Sequence, residues 1–246
     1  MSLRSKNSEV LSAHQPNFLP WIGFFSKINQ SQVFVFSDDV RYSKQQNINR
    51  SYFLDSNGNQ FFWRLPVKKI PSGRVYEKTL CYDERRIFEH GISKVRFEYR
   101  KTPYFKDLLI LLDKVEENFN SIQNLSEFNI SCIKLIAQSL EIQSYYLRGS
   151  EIGLQNYAAN ERLLQRAKIL EIPNYLCGQG ASGYQDDKWL MENGLKIFYV
   201  NYSEIGYFGE HARYSILHLI SMFGLENIKH HFINSVYLTN RIRNGP

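Results

Sequence analysis

Apolar and polar positions alternate between two rhythms along this chain. Val33-Phe34-Val35-Phe36 is an unbroken apolar run that stops at Ser37-Asp38-Asp39, as expected of a strand buried on both faces whose carboxyl end emerges at a polar edge. Before it, Val10 to Ala13 reads as a short strand and Ile22 to Asn29 as a helix, joined by a loop in which Pro16 and Pro20 force extended backbone. The opening is therefore β-loop-α-β. Such units form right-handed crossovers in a parallel sheet, where ligands bind at the carboxyl ends of the strands.

Further on, Asn57-Gly58 is a strong turn signal and Gln60 to Val67 reads as a strand, so a hairpin follows the first unit. Helical spacing recurs from Glu84 to Tyr99, near Pro103 to Asn118 and over Ser126 to Glu141, with Ser126 as a candidate N-cap. The β and α signals then alternate again. Tyr145 to Arg148, Asn174 to Cys177 and Leu195 to Tyr202 read as strands, Asn156 to Leu170 and Asp186 to Glu192 as helices, and the tail from Tyr214 to Ile242 as helical with Gly224 its internal breaker. No repeat, low-complexity stretch or linker divides the sequence. The pattern predicts an α/β fold, a single domain over residues 1–246 with a mainly parallel sheet flanked by helices, a helical C-terminal tail and a polar lead at residues 1–8.

Composition sharpens this picture by exclusion. With 246 residues, 43% of them hydrophobic and 15% aromatic, the chain can build a core and is not intrinsically disordered. Its longest purely apolar run, Leu108 to Leu112, falls far short of the roughly 20 residues of a membrane span. The basic start at Arg4 and Lys6 is followed by an apolar stretch that His14 to Asn17 interrupts, so no secretory signal is read and a cytoplasmic location is expected. Cys81, Cys132 and Cys177 are odd in number and widely spaced, which suits reduced thiols rather than a disulfide framework or a zinc site. The net charge of +6 is scattered, and no basic face is interleaved with exposed aromatics, so nucleic acid is not an expected partner.

Three segments carry candidate chemistry. The densest is His14-Gln15-Pro16-Asn17-Phe18-Leu19-Pro20-Trp21, placed between a strand and a helix amino terminus, where free N–H groups favour an anion. His14 suits acid/base work, while Gln15 and Asn17 are planar donors; the alternative is that these side chains only satisfy loop backbone. The second is Asp38-Asp39, a candidate base or metal-bridging pair or simply a turn cap, followed by the polar segment carrying Lys44, Asn49 and Arg50, which suits a phosphate or sugar phosphate or is a solvated loop. The third, Gly178-Gln179-Gly180-Ala181-Ser182-Gly183, has the dinucleotide spacing after a strand, with Glu204 about 20 residues on. Only 63 residues remain beyond Gly183, too few for most of a dinucleotide domain, which leaves a backbone cradle for an anion or sugar hydroxyl, or a structural turn. His211, His218, His230 and His231 match no zinc spacing and read as packing or surface residues.

These same residues carry a family resemblance. HQPNFLPWIGFFSKI (His14 to Ile28), VFVFSDDVRYS (Val33 to Ser43), Asn49-Arg50, Leu65-Pro66-Val67, YLCGQGASGY (Tyr175 to Tyr184) and Tyr214-Ser215-Ile216-Leu217 resemble, in order, the blocks of the WbqC-like family of bacterial proteins. Members occur in gene clusters for O-antigen and other surface polysaccharides, and the resemblance implies a role there, with transfer of a glycyl or other aminoacyl group onto an amino sugar as the suggested activity. His218 stands where the family usually has aspartate, which puts a role for an acid at that place in doubt, and Gly183 falls outside the family's glycine pair.

The reading that joins these signals is a transferase moving an acyl or aminoacyl group onto an amino sugar of a sugar nucleotide. Its catalytic residues are His14, Asp38 and Asp39; its binding residues are Gln15, Asn17, Trp21, Lys27, Lys44, Asn49, Arg50, Gly178, Gly180, Ser182 and Tyr184. His14 takes the proton of the acceptor amine, Gln15 and Asn17 orient the acyl carbonyl, and Lys44, Arg50 and the glycine loop hold phosphates. The partners are the sugar nucleotide and an acyl or aminoacyl donor, with RNA entering only as an aminoacyl-tRNA; no cofactor or metal is assigned. Two other readings remain: a magnesium-dependent nucleotidyl or adenylate-forming enzyme, and a non-catalytic sugar-nucleotide-binding protein.

Overall fold

A computed structural model describes residues 9–42, 47–68, 73–183 and 185–234, with the backbone alone at Tyr82, Ser182, Ser203, Glu204, Ile233 and Asn234. Lys44, Tyr184 and the tail stretch 235–242 lie outside the described residues. Seven strands and nine α-helices are formed within them.

The chain opens with β1 (Val10–His14), α1 (Ile22–Asn29) and β2 (Val33–Phe36), at the places the apolar runs predict. β3 (Arg50–Leu54) and β4 (Gln60–Arg64) make a separate antiparallel hairpin. Then come α2 (Arg85–Tyr99), α3 (Phe105–Ser121) and α4 (Leu125–Ser139). β5 (Tyr145–Arg148), the short α5 (Gly149–Ile152), α6 (Ala159–Leu170), β6 (Asn174–Cys177), α7 (Asp187–Glu192) and β7 (Lys196–Tyr199) complete the alternation. Two helices, α8 (Ile216–Phe223) and α9 (Leu225–Asn234), follow, broken at Gly224 with φ of 86°.

Several boundaries differ from the sequence reading. α4 is capped by Asn124, whose side chain accepts from the Glu127 N–H, and Ser126 lies inside the helix. The hairpin's first strand begins at Arg50, where polar residues hide the alternation of half-buried and buried positions. β4 ends at Arg64 and β7 at Tyr199, each short of the expected end. Residues Ser203–Arg213 form 3-10 turns kinked at Gly209, a segment without periodicity to announce it.

The five long-range strands form one parallel sheet in the order β5-β2-β1-β6-β7. Strand pleat divides the core into layers. Leu11, Ala13, Val33, Val35, Tyr175, Cys177 and Ile197 pack with Leu163, Leu164 and Ala167 of α6. Phe34 and Phe36 point the other way, into the larger core shared by α1, the hairpin, α2 to α4, α8 and α9. No described helix is long and apolar enough to cross a membrane.

The strand order places the binding crevice. From β1 the chain moves outward to β2 and β5, then returns to the other side of β1 for β6 and β7. The connections leaving β1 and β6 therefore diverge, and open sheets bind ligands at such a switch point, beyond the carboxyl ends of the two strands. Those ends are His14 and Cys177-Gly178.

Candidate functional site

His14 is the last residue of the central strand and is half-buried. Its Nδ1 lies 2.9 Å from the Gln15 carbonyl oxygen, an acceptor only, so Nδ1 carries the proton and Nε2 is left with its lone pair. The ring meets the edge of Phe24 at a centroid distance of 5.0 Å. Burial, and then the positive charge of Lys27, push the imidazole down to about 4, which keeps it neutral at physiological pH.

Lys27 reaches the same place from α1. It is 6% exposed and its ammonium donates to the Ala13 carbonyl at 2.7 Å, beside the end of β1. Burial pushes it down to about 8; the Cys177 thiol opposes that shift and Arg166 adds to it. Lys27 thus sits between β1 and β6, with a second cation arriving from α6. Cys177 is held by Gln185, whose Nε2 lies 2.9 Å from its Sγ and 2.7 Å from Asp187 Oδ1; Tyr199 donates to the other Asp187 oxygen at 2.6 Å. Burial raises the thiol to about 11, so it is protonated.

The loop after His14 is clamped from three sides. The Phe18 N–H donates to Asn47 O at 3.1 Å, Ser51 of β3 donates to Leu19 O at 2.6 Å, and Asn129 of α4 donates to Pro16 O and Ile48 O, each at 2.7 Å. These bonds hold Leu19 at φ of 41°, a left-handed conformation that costs a branched side chain about 1–2 kcal/mol. Asn17 Oδ1 is buried with no hydrogen-bond partner among the described residues. The open valence on Asn17 is therefore an acceptor, where sequence reasoning gave it a donor's part. Trp21, the residue before α1, covers Gly23 so closely that a Cβ there would fall 2.2 Å from its ring, and it packs on Tyr202 at 5.3 Å.

Asp38 and Asp39 are wholly buried and differently served. Asp38 accepts from Arg148 Nε at 3.0 Å, Ser126 Oγ at 3.1 Å, Ser150 Oγ at 2.9 Å and the Ser150 N–H at 2.8 Å. It ties the end of β2 to α4 and β5. Asp39 has Arg166 NH2 at 3.3 Å from each oxygen and Arg162 Nε at 3.7 Å, both from α6. Gly149 admits this pair, since a Cβ there would meet Asp39 Oδ1 at 2.5 Å. No group of three or more metal-ligating side chains forms among the described residues.

The profile of one protein family matches residues 15–230, from the residue after His14 to the last helix. The chain belongs to the WbqC-like protein family. It is also similar to the uncharacterized protein Rv1507c of Mycobacterium tuberculosis (strain ATCC 25618 / H37Rv), 25% identical over 193 residues that cover 76% of this chain and 80% of that protein. No solved structure matches the chain significantly.

Of the residues singled out from the sequence, this WbqC-like protein gathers His14, Gln15, Lys27, Gly178 and Gly180 at or next to the ends of β1 and β6. Gly178 and Gly180 have ordinary negative-side backbone, and among the described residues an added Cβ at Gly178 would meet the Tyr202 hydroxyl at 3.8 Å and one at Gly180 nothing within 4 Å, so no tight turn demands glycine there. The glycine loop leads into a 3-10 turn, Gln179–Gly183, and the amino end of α7 is capped by Asp186, which differs from a dinucleotide fingerprint opening directly onto a helix. Asn49 donates to Leu65 O at 3.2 Å and Arg50 starts β3, so both belong to the hairpin base that braces the loop. Sequence reasoning missed Arg162, Arg166, Gln185 and Asp187; Arg166 meets Asp39 across 127 positions, a separation no local pattern reports. An open recess lined by Lys134, Gln138, Glu141, Ile142, Gln143 and Tyr146 lies by the amino end of β5, at the opposite edge of the sheet from His14. Its Glu141 is paired with Lys229, and its Lys134 rests over the Tyr146 ring.

Proposed function

We propose that this WbqC-like protein transfers an acyl or aminoacyl group onto the amino group of a nucleotide-linked sugar used in surface-polysaccharide assembly. The observation that carries the reading is the Nε2 of His14, without a hydrogen-bond partner among the described residues and oriented by the ring's own Nδ1–H at the switch point of a parallel sheet. The acceptor amine attacks the acyl carbonyl carbon, the C–N bond forms as the bond to the donor's sulfur or oxygen breaks, and the amine proton passes to Nε2 and on to the departing thiolate or alkoxide. Asn17 Oδ1 takes a hydrogen bond from the sugar's N–H or O–H, and Trp21 offers an apolar face to the sugar ring. Asp38 and Asp39 act by position, fixing the end of β2 against β5 and α6, because their oxygens already serve arginines and serines.

An imidazole near 4 is a weak base, and a negatively charged substrate beside it raises its proton affinity, so basicity increases when substrate binds. The test is mass spectrometry of products from a nucleotide-linked amino sugar offered with acyl-coenzyme A or aminoacyl-tRNA. Acylated sugar from the wild type and none from His14→Ala, with the variant's circular dichroism unchanged, is the expected result. Equal turnover by the variant removes His14 from the chemistry, and release of pyrophosphate from a triphosphate instead would replace the reading with nucleotidyl transfer.

A further inference from the structure

The charges at the carboxyl edge of the sheet do not balance. Lys27 is 6% exposed and, among the described residues, its ammonium donates to a neutral carbonyl alone. Arg166 is 3% exposed, donates to Ser37 Oγ at 3.0 Å and shares Asp39 with Arg162. Arg162 and Arg166 thus share the one Asp39 carboxylate, and Lys27, near enough to Arg166 for their charges to repel, has no carboxylate partner among the described residues, so positive charge exceeds negative by two in a region mostly withdrawn from water. Burial of an unmatched charge is among the costliest arrangements a fold can hold, several kcal/mol per ion after relaxation.

Open valences lie among the same groups. The Nε atoms of Arg162 and Arg166 are buried and have no hydrogen-bond partner among the described residues. By contrast, the neighbouring Asp38 is met by Arg148, which also reaches Glu127 at 3.3 Å, so the positive excess is confined to the Asp39 side. Lys27 comes from the layer of α1 and the two arginines from the layer of α6, so they converge on the sheet edge from opposite faces.

We propose that Lys27, Arg162 and Arg166 form the binding site for the pyrophosphate of the substrate, a doubly charged diester that matches the two unpaired positive charges. Lysine serves as a point charge and arginine as a planar fork of donors, the usual pairing for phosphate oxygens. The inference rests on the sugar-nucleotide reading for its ligand and deepens it: phosphate recognition moves from the hairpin arginine and the glycine loop to α1 and α6. Burial lowers the affinity of Lys27 and Arg162 for their protons, and the positive charge of Arg166 adds to the fall in both.

Calorimetry with inorganic pyrophosphate, a nucleoside diphosphate and coenzyme A, each without acyl donor, tests the assignment on the full-length protein. Pyrophosphate binding is expected in the wild type. Its dissociation constant should rise roughly tenfold or more in Arg162→Gln and in Lys27→Met, and recover in part in Arg162→Lys. Arg162→Gln leaves Asp39 and Arg166 as an even pair, so folding is retained if Lys27→Met proves unstable. Tighter binding of the nucleoside diphosphate than of coenzyme A names the sugar nucleotide as the source of the phosphates, and the reverse order names the acyl donor. Equal affinity in wild type and Arg162→Gln, or no binding by the wild type at millimolar pyrophosphate, overturns the site. Variant-sensitive pyrophosphate binding without acyl transfer by the wild type would instead sink the transferase reading and leave the site standing.

Discussion

Two histidines of this chain, one half-buried and one buried, show how differently a fold can treat the same side chain. His218, in α8, is 2% exposed and has both ring nitrogens engaged: Nδ1 lies 2.8 Å from the Tyr99 hydroxyl and Nε2 lies 2.9 Å from His211 Nδ1. The Leu54 N–H donates to the same Tyr99 oxygen at 3.1 Å, so the polar run from hairpin to α8 is closed. His14 has a backbone partner for one nitrogen and, among the described residues, none for the other. Burial pushes both down, to about 3 for His218 and about 4 for His14, so depressed basicity alone does not distinguish them. The open valence does: a closed network fixes packing, while an incomplete one at a sheet's switch point leaves room for a ligand to complete it.

Substitutions that separate closed from open sites give the sharpest tests. On the closed side, Asp38→Asn removes one partner of a buried ion pair and should cost about 3 kcal/mol in urea unfolding, whereas a loss below 1 kcal/mol would show that the hydrogen bonds to Ser126 and Ser150 suffice without charge. His218→Ala opens a cavity and strands Tyr99 and His211, for an expected loss of about 2–4 kcal/mol. His14→Ala should unfold within about 1 kcal/mol of wild type and lose roughly 10²–10⁴-fold in transfer rate. Reversal of that pattern between the two histidines would erase the contrast.

Acid stability refines the comparison. Each histidine is neutral when folded and charged when unfolded below about 6.5, so stability is whole above that pH and falls as pH drops toward 4 for His14 and 3 for His218. The slope expected is about 1.4 kcal/mol per pH unit for each histidine, and His218→Ala should remove its share when unfolding midpoints are followed from pH 7 to 4. The smallest effect is expected at Gly178→Ala. Open space around its Cβ position predicts a stability change within about 0.5 kcal/mol, while any rise in KM would register how near the loop comes to substrate.

Much of this was legible before the structure. Val33 to Phe36 is a short apolar run and Asn174 to Cys177 is apolar after its first residue, as suits a sheet buried on both faces, and the strands form there. His14, Lys27 and Gly178 stand out by type and position, and the strand order brings them together. The arginines on α6 were not legible, because on a helix they resemble solvated surface residues until Asp39 is known to lie beneath them. Ser126 has the residue type of a cap, but Asn124 takes that place and frees the serine to bond Asp38. The β3 strand was obscured because Arg50 and Ser51 interrupt its apolar pattern.

The parallel sheet also constrains how the molecule comes into being. Its central strand precedes the neighbour that closes the crevice by a long stretch of chain, for Ser12 donates to Leu176 across 164 positions. Closing so long a loop is entropically expensive and slow. During synthesis β1 must wait, with an apolar edge unpaired, until β6 has left the ribosome. The crevice is therefore a late product of folding, and nascent chains stopped before residue 174 are expected to bind no ligand and to depend on chaperones for solubility.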